Sequence, residues 1–237
     1  MKKFWTYITN KQYAVGCSDR AVYLYDHTGA KLARFKDIPH GCDAAFSPAD
    51  NTFVVKSTGA YFAVYSADAR ALLHKIKFSD VNGSQDDGFC FSPDGTCFIN
   101  IERQKRSTNS CISVYETKNY TCLGKMYEDN DRIEPKWIEF GEDQVPYVLG
   151  FTRREDRVMD AAFIARLGRS GLEDMRIITE EEFEFFTDFK RLEMQGFTEE
   201  AKQWSGFRYR NVDMTGMEQE SHPFKDLWER YGQIQGS

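Results

Sequence analysis

Apolar and polar residues alternate with a period of two through most of the first 179 positions, the spacing of half-buried strands. Residues 4–9 set Phe4, Thr6 and Ile8 against Trp5, Tyr7 and Thr9, and the pattern continues through 12–17, 21–26 and 31–35. Ser18-Asp19-Arg20 and His27-Thr28-Gly29 separate these runs with turn formers. Four short strands with tight polar turns predict one antiparallel sheet. The grouping recurs at 42–47, 52–57, 61–66 and 71–78, and again at 88–92, 97–102, 111–116 and 121–127. A weaker fourth set lies at 136–140, 145–151, 158–166 and 175–179.

Two of these sets share a phrase. Ala44-Ala45-Phe46-Ser47-Pro48-Ala49-Asp50 returns as Phe89-Cys90-Phe91-Ser92-Pro93-Asp94-Gly95, 45 positions later (92 − 47 = 45). Proline after serine presets φ for a turn, and Asp or Gly tolerates the reversal that follows. The repeat predicts that Phe46 and Phe91 hold equivalent core positions. A strand-built period near 45 predicts propeller blades over helical repeats.

Residues 13–35, ending their third strand in Tyr25-Asp26, resemble the second half of a WD repeat, with Tyr25-Asp26 where that family has Trp-Asp. Ser92-Pro93-Asp94-Gly95 resembles the first hairpin of the family and of bacterial propeller repeats. Tyr65-Ser66 and Tyr115-Glu116 align with Tyr25-Asp26. The family's Gly-His pair appears only reversed, as His40-Gly41, and its turn aspartate only as Asp19. Its His-Ser-Asp-Trp hydrogen-bond network therefore cannot form as a set, and packing must rest on apolar sheet faces. The resemblance implies a mainly β fold: a β-propeller-like array of four four-stranded antiparallel blades, at about 1–36, 37–80, 81–130 and 131–179.

After Thr179 the period becomes helical. Thr179-Glu180-Glu181-Glu182 matches a capping box, with acids facing the positive end of the helix dipole. Phe183, Phe186 and Phe185, Phe189, Leu192 form an apolar face, and Gly196 ends the helix. A shorter helix is expected over 199–204 and a strand over 207–212. The last helix, 223–231, carries Phe224, Leu227, Trp228 and Tyr231 at i, i+3, i+4 and i+7. Residues 180–237 thus read as a C-terminal α-helical tail whose aromatic stripe must dock on its own blades or on a second chain. Four blades are the low end for ring closure, and a homodimer would cover exposed sheet edges.

Charge narrows the function classes. The chain carries a net charge of −6 and no basic stripe, which argues against a nucleic-acid partner. No run approaches a membrane span, and the N-terminus alternates too early for a secretion signal. Six cysteines without a C-x-x-C pair, and four scattered histidines, predict free thiols in a reducing cytoplasm and no metal site. No cofactor is expected.

No G-x-S-x-G or activated-cysteine signature marks a nucleophile, so no catalytic residue is assigned. Arg103, Lys105 and Arg106 lie in the longest second-to-third-strand loop, beside acidic neighbours that include Asp86 and Asp87. Such a loop on a rigid scaffold suits partner binding. WD-like propellers most often act as non-enzymatic protein–protein interaction modules, and the resemblance implies that role. The alternatives are a small hydrolase or lyase using channel-mouth carboxylates (Asp43, Asp86, Asp87, Glu134), or a protein that neutralises one partner by acidic complementarity. Self-association is expected through Phe224, Leu227, Trp228 and Tyr231.

Overall fold

The computed structural model describes residues 4, 6–77, 88–104, 110–128, 130–141, 143–156, 158–179 and 183. Among the described residues sixteen strands form four sheets, each a four-stranded antiparallel meander in chain order. The first holds β1 (Thr6–Thr9), β2 (Tyr13–Ser18), β3 (Ala21–Asp26) and β4 (Lys31–Phe35). The second holds β5 (Gly41–Phe46), β6 (Thr52–Ser57), β7 (Tyr61–Ser66) and β8 (Ala71–Lys77). The third holds β9 (Phe89–Phe91), β10 (Cys97–Arg103), β11 (Ser110–Glu116) and β12 (Cys122–Met126). The fourth holds β13 (Ile133–Phe140), β14 (Pro146–Arg153), β15 (Met159–Gly168) and β16 (Gly171–Ile178). Four such sheets fit a propeller-like arrangement.

Burial follows strand position. The second and third strands of each sheet are buried on both faces, and their sequences read as nearly continuous apolar runs, as in Tyr61–Ser66. The fourth strands are mostly exposed: in β8 only Leu72 and Ile76 are half-buried. Six hairpin turns, and the connection between β12 and β13, are held by side-chain oxygens that accept backbone amides two residues on. Asn10, Asp26, Asp50, Asp94, Asn130, Asp143 and Asp156 all do so, at 2.7–3.1 Å. In three of these turns, Asp-x-Thr at 26, 50 and 94, the threonine hydroxyl also donates to the same carboxylate oxygen.

The described residues fall into two compact units, one holding the first two sheets and one the last two. In the first unit, Val15, Cys17, Val22 and Leu24 meet Phe53, Val55, Ala63 and Tyr65 in one buried cluster. Thr6 Oγ1 donates to the Cys42 carbonyl at 2.7 Å, tying the two sheets together, and Ser57 Oγ donates to the carbonyl of Pro39 in the connection between them at 2.5 Å. On the other face of the first sheet, the Phe4 ring lies over Gly16, where a Cβ would stand 2.8 Å from the ring. In the second unit, Ile99, Ile101 and Ile112 pack with Ile138, Val148 and Phe163.

The repeat is visible in the registers. Phe46 pairs with Phe53 and Phe53 with Tyr65; Phe91 pairs with Phe98 and Phe98 with Tyr115. Phe53 and Tyr65 stack at 5.1 Å, Phe98 and Tyr115 at 5.0 Å. Phe46 and Phe91 are therefore equivalent, but both are half-buried; the fully buried equivalents are Phe53 and Phe98. The difference arises because 46 and 91 end the first strand of each sheet, next to the turn.

Of the segment after β16, Phe183 alone is described beyond Thr179. It is helical, its amide bonds the Thr179 carbonyl at 3.1 Å, and its ring packs 4.2 Å from Phe151 on the fourth sheet. The remainder of the expected 180–192 helix, and the expectations for 199–204, 207–212 and 223–231, lie outside the described residues. Among the described residues no helix is long and apolar enough to cross a membrane.

Candidate functional site: a buried polar face and a charged end

Alternation gives the third sheet two unlike faces. Ile99, Ile101 and Ile112 point into the core shared with the fourth sheet. The opposite face begins with the stacked Phe98 and Tyr115, and two residues further along Asn100 stands opposite Ser113. Beyond them Glu102 stands opposite Cys111, and Lys125 of β12 stands opposite Ser113. Asn100, Glu102, Cys111 and Ser113 are fully buried.

A buried carboxylate needs donors, and Glu102 has three. Asn100 Nδ2 (3.1 Å) and Tyr115 Oη (2.6 Å) donate to Oε1; Lys125 Nζ donates to Oε2 at 3.0 Å. Burial acts to lower the Lys125 pKa, but the Glu102 charge and hydrogen bond outweigh it and the value is raised. Burial, then Glu102, pushes the Tyr115 phenol far above its ordinary range. The Cys111 thiol is pushed up to about 11, first by burial and then by Glu102. Such a thiol is not an activated nucleophile at neutral pH.

The fourth sheet buries a second carboxylate. Glu134 on β13 is 5% exposed and bonded by Lys136 Nζ at 2.7 Å. Arg153 of β14 reaches it through Nε at 2.7 Å and also through Nη2. Burial alone would raise the Glu134 pKa; the two cations outweigh it and hold the value below the usual range. Gly150 makes this geometry possible, since a Cβ there would run into the Glu134 carbonyl and lie 2.9 Å from the Phe163 ring.

The Gly88 amide donates to the Lys136 carbonyl, and the Ile101 amide to the Gly88 carbonyl. These bonds join the end of β10 to the start of β13. Arg103, Glu134, Lys136 and Arg153 thus gather at one end of the two sheets. Around them stand the exposed pairs Arg132–Glu155 (2.9 Å) and Arg154–Asp156 (3.3 Å). Val158 and Met159, about half exposed at 50% and 54%, complete this end.

Of the residues expected from sequence, Arg103 closes β10, half-buried and opposite Ser110. Asp43 lies on β5, buried, opposite the fully buried Lys56. Asp86, Asp87, Lys105, Arg106, Phe224, Leu227, Trp228 and Tyr231 lie outside the described residues. Glu134, expected at a channel mouth, is buried on β13, and Asn100, Glu102, Lys125, Lys136 and Arg153 were not among the expected site residues. The signal for the first pair was polar residues inside the run Phe98-Ile99-Asn100-Ile101-Glu102. Among the described residues no group of three or more His, Cys, Asp or Glu could hold a metal ion.

No family model matches the sequence, and no curated protein matches it. Solved structures do match, among them hydrazine synthase of Kuenenia stuttgartiensis, with a TM-score of 0.56 and 13% sequence identity. The match covers 71% of this chain and 51% of that one, so the chain spans about half the length of that structure. As many as 836 chains of solved structures match, and a fold so widely shared carries no single activity. At this identity the likeness shows the fold alone.

Proposed function

We propose that the chain is a non-enzymatic protein-interaction module of the WD-like propeller type, which self-associates and presents the charged end of its third and fourth sheets to a second protein. The observation that carries this reading is the composition of that end. Exposed arginines, Val158 and Met159 surround a core of ion pairs whose members are already satisfied. Arginine and methionine are enriched at protein interfaces, and rigid scaffolds displaying loops are suited to binding. Lys105 and Arg106 follow Arg103 in the sequence, and Arg157 follows Asp156.

The hydrolase or lyase alternative finds less support. A carboxylate general acid needs a raised pKa, and Glu134 is held ionised by Lys136 and Arg153.

Affinity capture from native lysate tests the reading, with wild type compared against the triple variant Arg103→Glu, Lys105→Glu, Arg106→Glu. Capture of one protein in near-equal amount by the wild type, and its loss in the folded variant, is the expected result. Retrieval of the same proteins by both would remove the charged end from the account.

A further inference from the structure

The four sheets act as internal controls for one another. Setting Ala14–Tyr25, Phe53–Tyr65, Phe98–Tyr115 and Tyr147–Arg166 in one row places four cross-strand pairs in the next. Those pairs are Gly16–Tyr23, Val55–Ala63, Asn100–Ser113 and Leu149–Ile164. Three sheets build this position from glycine, aliphatic and aromatic residues, all but Gly16 counted among the buried apolar core. The architecture therefore does not require polar groups here, and the third sheet alone has them.

The polar pair is also incompletely satisfied. Asn100 Nδ2 donates to Glu102, which fixes the amide orientation, because the reverse would set its oxygen against a carboxylate. Oδ1, on the other side of the planar amide, is buried and accepts no hydrogen bond. Ser113, directly across the ladder, has a hydroxyl paired with the Cys111 sulfur at 3.8 Å, a weak partner. Residues paired across an antiparallel ladder hold their Cβ atoms about 4.5–5.5 Å apart, so the two side chains are neighbours on one face. A buried acceptor retained without a donor is rare in native proteins, and a bound water or ion is one way such an atom is satisfied.

We propose that Asn100 Oδ1 and Ser113 Oγ form a buried site for a single small hydrogen-bond donor, water or ammonium. Lys125 already balances the Glu102 charge, so a neutral donor fits without further compensation. Ammonium has the same size and would use the same acceptors. This site is independent of the charged end and does not rest on the proposed function.

A high-resolution crystal structure of the intact chain decides the matter. Ordered density within about 3.2 Å of Asn100 Oδ1 is the expected result. No density within hydrogen-bonding reach of that oxygen would overturn the site. Melting temperatures in ammonium chloride and in sodium chloride at equal ionic strength identify the occupant. A rise specific to ammonium that Asn100→Leu abolishes assigns ammonium, because a ligand of the folded state stabilises by mass action. Equal melting in both salts, with density present, assigns water. Leucine is the residue the fourth sheet carries at this position.

Discussion

Phe53 and Phe98 show how a repeat converts into energy at single positions. Both are fully buried and stacked on a tyrosine, so Phe53→Ala or Phe98→Ala should cost about 3–5 kcal/mol. Phe46 and Phe91, equivalent but half-buried, should cost less, about 1–2 kcal/mol each for the apolar surface they keep from water. Chemical-denaturation midpoints of the four variants check the order; equal losses at all four would contradict the burial pattern. The register of the repeat was legible in Ser-Pro and its flanking phenylalanines. The degree of burial was not, since it depends on which strand of the sheet a residue occupies.

Charged positions were harder to read for the same reason. Glu134 and Arg153 are 19 positions apart and meet only because β13 pairs with β14. A carboxylate whose folded pKa is lowered stabilises the protein above its unfolded value and loses that contribution as pH falls through the folded value. Arg153→Met should therefore destabilise the protein at neutral pH. It should also make the acid side of the stability curve shallower below the ordinary glutamate range, where the wild type loses this contribution. A variant whose curve parallels the wild type down to strongly acid pH would show that the pair does not titrate as described. Lys125 has the opposite sign: its raised pKa gives stability that persists below the ordinary lysine value and is lost only at higher pH.

Elements were the most legible scale. Each of the sixteen strands among the described residues overlaps a run read from the sequence, because hairpin meanders are local in sequence, although β13 and β16 begin earlier than their runs. The Asp-x-Thr turns explain why Ser-Pro-Ala-Asp and Ser-Pro-Asp-Gly do the same work with the aspartate one place apart. Each aspartate accepts its threonine two residues later, and each pKa is lowered by those bonds, at Asp50 against the opposing effect of burial. Asp50→Ala should lower stability at neutral pH by about 0.5–1.5 kcal/mol, the net worth of a hydrogen bond. The difference from wild type should shrink as pH falls below the ordinary aspartate range, and a difference independent of pH would contradict this origin.

What the pattern did not reveal is the irregularity between the third and fourth strand of every sheet, at Leu24/Tyr25, Val64/Tyr65, Val114/Tyr115 and Ile164/Arg166. Bulges twist and end a ladder without changing residue alternation. Outer strands also share a device: Arg34, Lys75, Lys125 and Arg176 stand at one register position, opposite Tyr23, Ala63, Ser113 and Ile164. Arg34 lies over the Tyr23 ring and Lys75 over that of Tyr61, while Lys125 reaches Glu102. Long cations at exposed edges cover apolar surface and discourage edge-to-edge pairing.

For the whole molecule, the sequence pattern specifies four sheets and leaves assembly and partners to properties of the folded surface. Thiol exposure offers one check: Cys122 is exposed, whereas Cys17 and Cys111 are fully buried. Cys122 should react first with a small thiol reagent, and Cys17 and Cys111 only on unfolding; early modification of either buried thiol would contradict the packing. The proposed role sets a larger demand. A module that works by binding should occur in cells as an assembly heavier than one chain, and our reading expects two copies together with a distinct protein. Native mass spectrometry of the intact protein purified gently from its own cells measures this directly. A species containing two chains plus a second polypeptide is the predicted result, and a bare monomer as the sole species would contradict the account.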